Sequence, residues 1–449
     1  MMRRDNSIDM VNGPLLKNII RFSLPLMATN LLQMMFNAAD TIVVGKFAGQ
    51  QALAAVGATS SLIFLITSLF NGLAMGTNVV LANAIGAQDE DRTIKSVHTS
   101  VGIGLYGGLL LTAVGFFGAK PMLQLMSTPA DILDGSTLYM KIFFIGSIFA
   151  CTYNFGAAIM RAKGDTKRPM YFLFLSGILN VVLNLIFVII FKMSVAGVAL
   201  ATVISQAVSF FLVLWSLIKD ESLLHLDVKK IKLDRILTMD ILQIGVPAGI
   251  QGMAFAISNV VVQSSINSFN SSVIVAGNSA ASNIENFVYI GMMAFSQAAM
   301  TFTSQNVGAG RKDRLLKIMI YTMILDCSMA FITGFITWRF GDFFLSFYTN
   351  DPKVVEYGLY RLFWIAFFLW LNGVLDIFIN CLRGMGESTL PTILMIVAVC
   401  GVRLAWLWFY FPAHRELEVI YMCFPISWTI SSIMEGILWY VKYKQMMES

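Results

Sequence analysis

Charge is scarce in this chain. Only 13% of its 449 residues are Asp, Glu, Lys or Arg, about half the ~25% of soluble domains, and mean hydropathy is +0.73. That shortage excludes a soluble two-domain enzyme and a disordered chain. The net charge of +5 is too small for a nucleic-acid binder. Histidine is almost absent (His98, His225, His414), so no histidine metal site is expected. The five cysteines (Cys151, Cys327, Cys381, Cys400, Cys423) form no CxxC pair and fall in or beside apolar segments, which reads as buried thiols rather than disulfides or metal ligands. There is no HExxH or GxSxG, so an enzyme is not expected, and no selectivity-filter sequence of the TVGYG type. The polar start, MMRRDNSIDMVNGP, lacks a cleavable signal pattern.

What is present is apolar length. Long apolar stretches run over 17–43, 52–80, 93–117, 136–160, 168–191 and 195–218, then 239–267, 273–302, 314–338, 356–382, 389–411 and 418–441. This predicts an all-α polytopic membrane protein with 12 transmembrane helices in two six-helix lobes. The expected divisions are a tail at 1–13, an N-lobe at 14–218, a hydrophilic linker at 219–238, a C-lobe at 239–441 and a tail at 442–449. With the N-terminus inside, 22 of the 31 Lys and Arg fall in inside segments. Eight fall outside: Lys46, Lys120, Lys141, Lys192, Arg339, Lys353, Arg361 and Arg415. One, Arg403, lies within a span. The positive-inside rule then places both termini in the cytoplasm and the chain in the inner membrane.

The halves repeat. At an offset of 222 residues, Pro25 falls on Pro247, and Gly86, Ala87, Asp91, Arg92 and Lys95 fall on Gly308, Ala309, Asp313, Arg314 and Lys317. Arg161, Gly164 and Pro169 fall on Arg383, Gly386 and Pro391. Apolar bias alone would not align glycines, prolines and charges. Because each half has six spans, both halves enter the membrane in the same orientation, which predicts a parallel repeat with a site at its interface. Pro25 and Pro247 each remove a helix hydrogen bond and are candidate bending points.

Polar residues within spans need a reason. The first helix carries Asn30, Gln33, Asn37, Asp40 and Thr41 on one face. Asp40 ends this stripe, and its bland alternative is an interfacial residue paired with Lys46. The fifth helix carries Ser176, Asn180 and Asn184, and the sixth Thr202, Ser205, Gln206 and Ser209, patterns that also serve as hydrogen-bonding glue. The eighth carries Asn278, Ser282, Glu285 and Tyr289, and the tenth Asn372, Asp376, Asn380 and Arg383. Asp326, Glu435 and Arg403 lie in the ninth, twelfth and eleventh. Arg403 is expected either to pair with one of these carboxylates or to serve as a functional cation. Carboxylates in a membrane interior can exchange protons at ordinary pH and attract cations when ionised. Gln33, Asn37, Glu285, Asn372 and Asp376 are candidate substrate contacts, and the 27 Met and 35 Phe allow an adaptable cavity wall.

FSLPLMATNLLQMMFNAADTIVVGKFAG near the start, the paired loops AIGAQDEDR and NVGAGRKDR, MRAKGDTKRP, CLRGMGESTLP and ILNVVLN together resemble the multidrug and toxic compound extrusion (MATE) family over nearly the whole chain. The resemblance implies two lobes around a central cleft and export of organic cations and amphipathic compounds in exchange for H+ or Na+, with no other cofactor. It implies an ion-coupling site at Asp40, Asn180, Asn184 and Thr202. Many relatives have Asp where this chain has Asn184, which favours H+ over Na+, since hard cations prefer carboxylate-rich cages. A Glu and Asp used by another branch correspond to Phe255 and Asn372. The implied partners are small amphipathic or cationic molecules and the lipid bilayer, with a monomer sufficient for function. The alternative is a flippase for lipid-linked oligosaccharides or another lipid, whose cavity would need fixed cations. A major-facilitator carrier also has six plus six helices, but its loop pattern is incomplete here, with Thr93-Ile94-Lys95 following Asp91-Arg92.

Overall fold

A computed structural model of the chain describes residues 7–448, so the N-terminal Arg3 and Arg4 counted above lie outside the described residues. These residues form helices and contain no strand. Ten spans are long and apolar enough to cross a bilayer: α1 (Leu15–Ala48), α2 (Gln50–Gly86), α3 (Glu90–Leu125), α5 (Lys167–Ile190), α6 (Ser194–Ile218), α7 (Arg235–Asn267), α9 (Lys312–Arg339), α10 (Pro352–Gly384), α11 (Thr389–Ala413) and α12 (Leu417–Glu448). An eleventh, α4, is a pair, Ala130–Ile145 and Ser147–Lys163, bent by 46° at Gly146. The twelfth, α8 (Ser272–Gly308), has 37 residues, ample length at about 1.5 Å per residue. Its Asn278, Ser282, Asn283, Glu285 and Asn286 keep its hydropathy low.

Local signals set the helix ends. Asp89 caps α3 by accepting from the Arg92 amide at 3.0 Å, and Asp351 caps α10 ahead of Pro352 by accepting from Lys353 at 2.9 Å. Gly164 (φ 97°) and Gly386 (φ 93°) end α4 and α10 in the left-handed region. These glycines are 222 residues apart, so the repeat preserves a backbone requirement that a side chain would strain. The last helix continues to Glu448, through most of the expected C-terminal tail.

Two compact units result, and they are not the two halves of the sequence. One contains Ala28–Gly249; the other contains Asp9–Met27 and the chain from Ile250 onward. The divisions fall two residues after Pro25 in α1 and two after Pro247 in α7. Both helices run continuously through their prolines. In the first unit the start of α7 lies backbone-to-backbone on α2, because Gly72 and Gly76 face Ile241, Gly245 and Gly249, and a Cβ on Gly72 would strike that backbone. Arg92 pairs with Asp240 at 3.1 Å. In the second unit, Phe22 packs edge-on to Phe302 with centroids 5.6 Å apart, Asn306 donates to the Met10 carbonyl at 3.0 Å, and Arg314 donates to the Gly13 carbonyl at 2.6 Å. Arg92 and Arg314 are repeat equivalents, and each holds the start of the helix that enters its unit.

Candidate ion-coupling and substrate sites

In the first unit, α1 and α5 meet where α5 has no side chain. A Cβ on Gly177 would collide with the Phe36 ring. One turn beyond Phe36, Asp40 accepts a hydrogen bond from Asn184 Nδ2. The same amide reaches Asn180 Oδ1 at 3.3 Å. Asn180 Nδ2 in turn donates to Thr202 Oγ1 of α6 at 3.4 Å, and Thr202 donates to the Val198 carbonyl at 3.0 Å. The four residues of the expected coupling site therefore form one hydrogen-bonded ladder across three helices. Its carboxylate is held by an amide, not by Lys46. Asn180 and Asn184 are buried, Asp40 half-buried. Both contributing helices widen into a π turn just beyond the ladder, at Val44–Ala48 and Ile186–Ile190, and these turns touch. Such turns are frequent at functional sites. Tyr139 of α4 is buried nearby and senses the Asp40 charge.

The remaining α1 candidates stand apart from the ladder. Gln33 and Asn37 are exposed, and Asn37 only accepts from Thr41 through its carbonyl, at 3.0 Å. Ser176 turns back to the Leu173 carbonyl at 3.0 Å.

The second unit holds two polar groupings. In the first, Arg361 of α10 donates to Glu285 Oε2 at 3.0 Å from Nε and 2.8 Å from Nη2, and to Asn278 Oδ1 at 2.7 Å. Tyr421 also donates to that oxygen, at 3.1 Å. The ion pair is only 10% and 15% exposed. Arg361, counted among the outside charges, therefore lies within α10, and the candidate substrate contact Glu285 is paired with it. Arg403 donates to Ser427 Oγ at 3.1 Å rather than to a carboxylate. It stacks over Phe424 and Trp428, 4.2 and 5.9 Å from the ring centroids. Aromatic faces carry part of the stabilisation a counter-ion would give.

The second grouping surrounds Asp376. Asn372 Nδ2 donates to Asp376 Oδ2 at 2.9 Å, Asn380 donates to the Asp376 carbonyl at 2.8 Å, and Arg383 donates to Gln251. Tyr289 faces Asp376. Asn372, Asp376, Asn380, Arg383 and Gln251 are all buried, and Tyr289 is half-buried. The structure thus brings Asn372 and Asp376 together and leaves Glu285 in a separate grouping. An apolar cavity of about 680 Å³ in this unit, lined by residues including Phe287, Thr333, Ile336 and Phe347, includes neither.

The MatE family model matches residues 25–186 and again 247–408, two copies at the same 222-residue offset as the internal repeat. The chain belongs to the MatE family. It is a multi-pass membrane transporter of the multidrug efflux type, not an enzyme. It is 29% identical to the probable multidrug resistance protein YpnP of Bacillus subtilis over 88% of both chains. With the probable multidrug resistance protein YoeA of the same organism it shares 27% over 92% of this chain and 91% of that one. Its fold superposes with a TM-score of 0.91, at 21% identity over 98% of both chains, on a Pyrococcus furiosus transporter described as having a binding pocket of reverse polarity.

Arg361, counted outside above, falls within the apolar stretch 356–382, and the Asp351-Pro352 helix start places it well inside α10. Nothing in the sequence marks Tyr139, which the packing of α4 buries near Asp40.

Proposed function

We propose that this transporter is a proton-coupled antiporter that exports organic cations and amphipathic compounds by alternating access, with Asp40 as the coupling carboxylate. The observation that carries this is the ladder itself. Asp40 is a lone carboxylate inside a span, held by an amide donor rather than by a cation. Protonation removes its charge and weakens its hold on Asn184, freeing α1 to shift beyond Pro25. The ladder offers one carboxylate, where a sodium cage would want several anionic oxygens, so H+ is favoured over Na+. Coupling requires that the two conformations differ in affinity for both proton and substrate. The chain acts in the inner membrane with both termini in the cytoplasm, α1 and α7 bend at Pro25 and Pro247, and one chain suffices for transport. Gln33, Asn37, Glu285, Asn372 and Asp376 are the candidate substrate contacts.

A second function, a flippase for lipid-linked anionic compounds, draws support from Arg403, whose Nη1 has no hydrogen-bond partner. It draws none from Arg361, which Glu285 neutralises. Proteoliposomes with an imposed pH gradient and a fluorescent cationic dye separate the two. Dye movement driven by the gradient and lost in Asp40→Asn supports the antiporter. No movement under either a pH or a Na+ gradient moves the weight to lipid-linked substrates.

A further inference from the structure

Asp326 lies at the middle of α9, fully buried, and neither of its carboxylate oxygens has a hydrogen-bond partner. It is packed tightly. A Cβ on Gly373 of α10 would collide with Asp326 Oδ2. Gly373 adjoins Asn372 and belongs to the same helical turn as Asp376, so the orphaned carboxylate is aimed at the Asn372–Asp376 turn. The equivalent crossing in the first half is built the other way round. There the small residue is Gly104 on α3, a Cβ on which would lie 3.1 Å from Thr152 Cα on α4. Asp326 is the repeat equivalent of Gly104. The second half has moved the space to the opposite helix and filled it with a carboxyl group.

The ionisable groups facing Asp326 come from three directions. From α10 come Asp376 and, further along, Arg383; from α8 comes Tyr289; Cys327 adjoins it on α9 itself. The Leu362–Phe367 π turn, also against α9, has no ionisable side chain. The flanking short elements carry Lys312, Asp313, Arg314 and Asp342 near the two ends of α9. Those groups are roughly 18 to 24 Å away along the helix at its rise per residue. Glu435 of α12, also fully buried with both oxygens unpartnered, competes for Arg383. Two buried carboxyl groups, Asp376 and Glu435, thus share one guanidinium, and Asp326 has no share in it. Ionised, Asp326 would be an uncompensated charge with no donor. As a carboxylic acid it is neutral and carries no uncompensated charge.

We infer that Asp326 is a proton-carrying site of the second unit, loaded and discharged during the transport cycle separately from Asp40. Its proton comes from water and returns to water. While it is bound, Asp326 and Asp376 together carry one negative charge rather than two. The inference deepens the antiport mechanism proposed above and rests on it for the cycle, but the protonation is testable without transport.

Infrared difference spectra of the purified, detergent-solubilised chain at neutral pH should show a protonated-carboxyl stretch that disappears in Asp326→Asn. The same band should bleach when a cationic dye binds. Asp326→Glu, which keeps an acid, should retain a band at a shifted frequency and guard against loss through misfolding. In proteoliposomes at equilibrium, the proton-to-dye ratio should fall from about two to about one in Asp326→Asn and be restored in Asp326→Glu. A band that survives in Asp326→Asn, that does not respond to dye, or a ratio unchanged by the substitution overturns the proposal. Failure of the Asp40 mechanism shows itself differently, as full proton-driven dye movement in Asp40→Asn.

Discussion

The two units share a scaffold and not an interior. At the 222-residue offset, Asp40, Asn180, Asn184 and Thr202 fall on Val262, Val402, Trp406 and Phe424. In the other direction, Glu285, Asp326, Arg361 and Arg403 fall on Ile63, Gly104, Tyr139 and Val181. Most of these groups have apolar or small counterparts in the other half, whereas Asp376, Arg383 and Gln251 fall on Asn154, Arg161 and Thr29. What the halves keep in common is punctuation: the helix-ending glycines, the prolines of α1 and α7, and the arginines that hold those helices. A packed crossing tolerates exchange of its side chains as long as volume is conserved, whereas a left-handed glycine or a helix-entry contact does not. The first unit concentrates its polarity in one carboxylate and a chain of neutral donors. The second distributes it over several carboxylates and guanidiniums, of which Glu285 and Arg361 cancel as a pair. A lone carboxylate suits a group that must change charge; a cancelled pair suits a group that must hold two helices together.

That contrast can be broken most strongly at Asp40. Asp40→Asn is expected to reduce proton-driven dye flux to the background of empty liposomes. Asp40→Asn combined with Asn184→Asp, which keeps one carboxylate in the same ladder, should recover a measurable part of it. Recovery equal to zero would mean that α1 must itself carry the charge.

The next largest effect is on stability. Removing either partner of the Arg361–Glu285 pair leaves a buried charge uncompensated, at a cost of about 3–5 kcal/mol. Arg361→Met with Glu285→Met together should cost much less. Thermal unfolding of the three variants in detergent measures this. If the single substitutions are harmless, the pair is not structural and Glu285 stands as a substrate contact.

Gly373→Ala should destabilise the second unit by about 1–3 kcal/mol through overpacking. Most of that loss should vanish in an Asp326→Ala background, as a double-mutant cycle would show. Additive effects would mean that the two groups do not touch.

The smallest effect is expected outside the spans. Burial opposes ionisation of Asp220, but hydrogen bonds from Ser222, the Lys163 charge and the Arg168 guanidinium outweigh it and hold the carboxyl below its usual range. A depressed pKa contributes stability above the unfolded value of about 3.9 and loses it as pH falls through the folded value. Asp220→Asn should therefore lower the stability of the first unit by about 1 kcal/mol or less at neutral pH. The difference from wild type should disappear in strong acid.

Much of this was legible in the sequence because the bilayer imposes its own spacing. The apolar stretches give the helices to within a few residues at most ends, and the glycines and prolines that resist exchange give the repeat. Spacing gave the Asp40 stripe and the Asn180–Asn184 face separately, and the resemblance to the MATE family joined them with Thr202 into one site. The bend of α4 was not, because Gly146 is one of 34 glycines and only packing decides which of them breaks a helix. Nor was the environment of Arg403. Its aromatic neighbours, Phe424 and Trp428, are spaced one turn apart on α12 like any buried stripe. A reader expecting a carboxylate finds several, none of which packing brings to it.

The central claim is that substrate and proton compete through Asp40, and linkage makes that claim reciprocal. The direct measurement is proton release when a cationic dye binds to the purified chain in weakly buffered detergent, read with a pH indicator, for wild type and Asp40→Asn. Release in the wild type that falls by about one proton per dye bound in the variant is the predicted result. Equal release from both proteins would contradict coupling at Asp40.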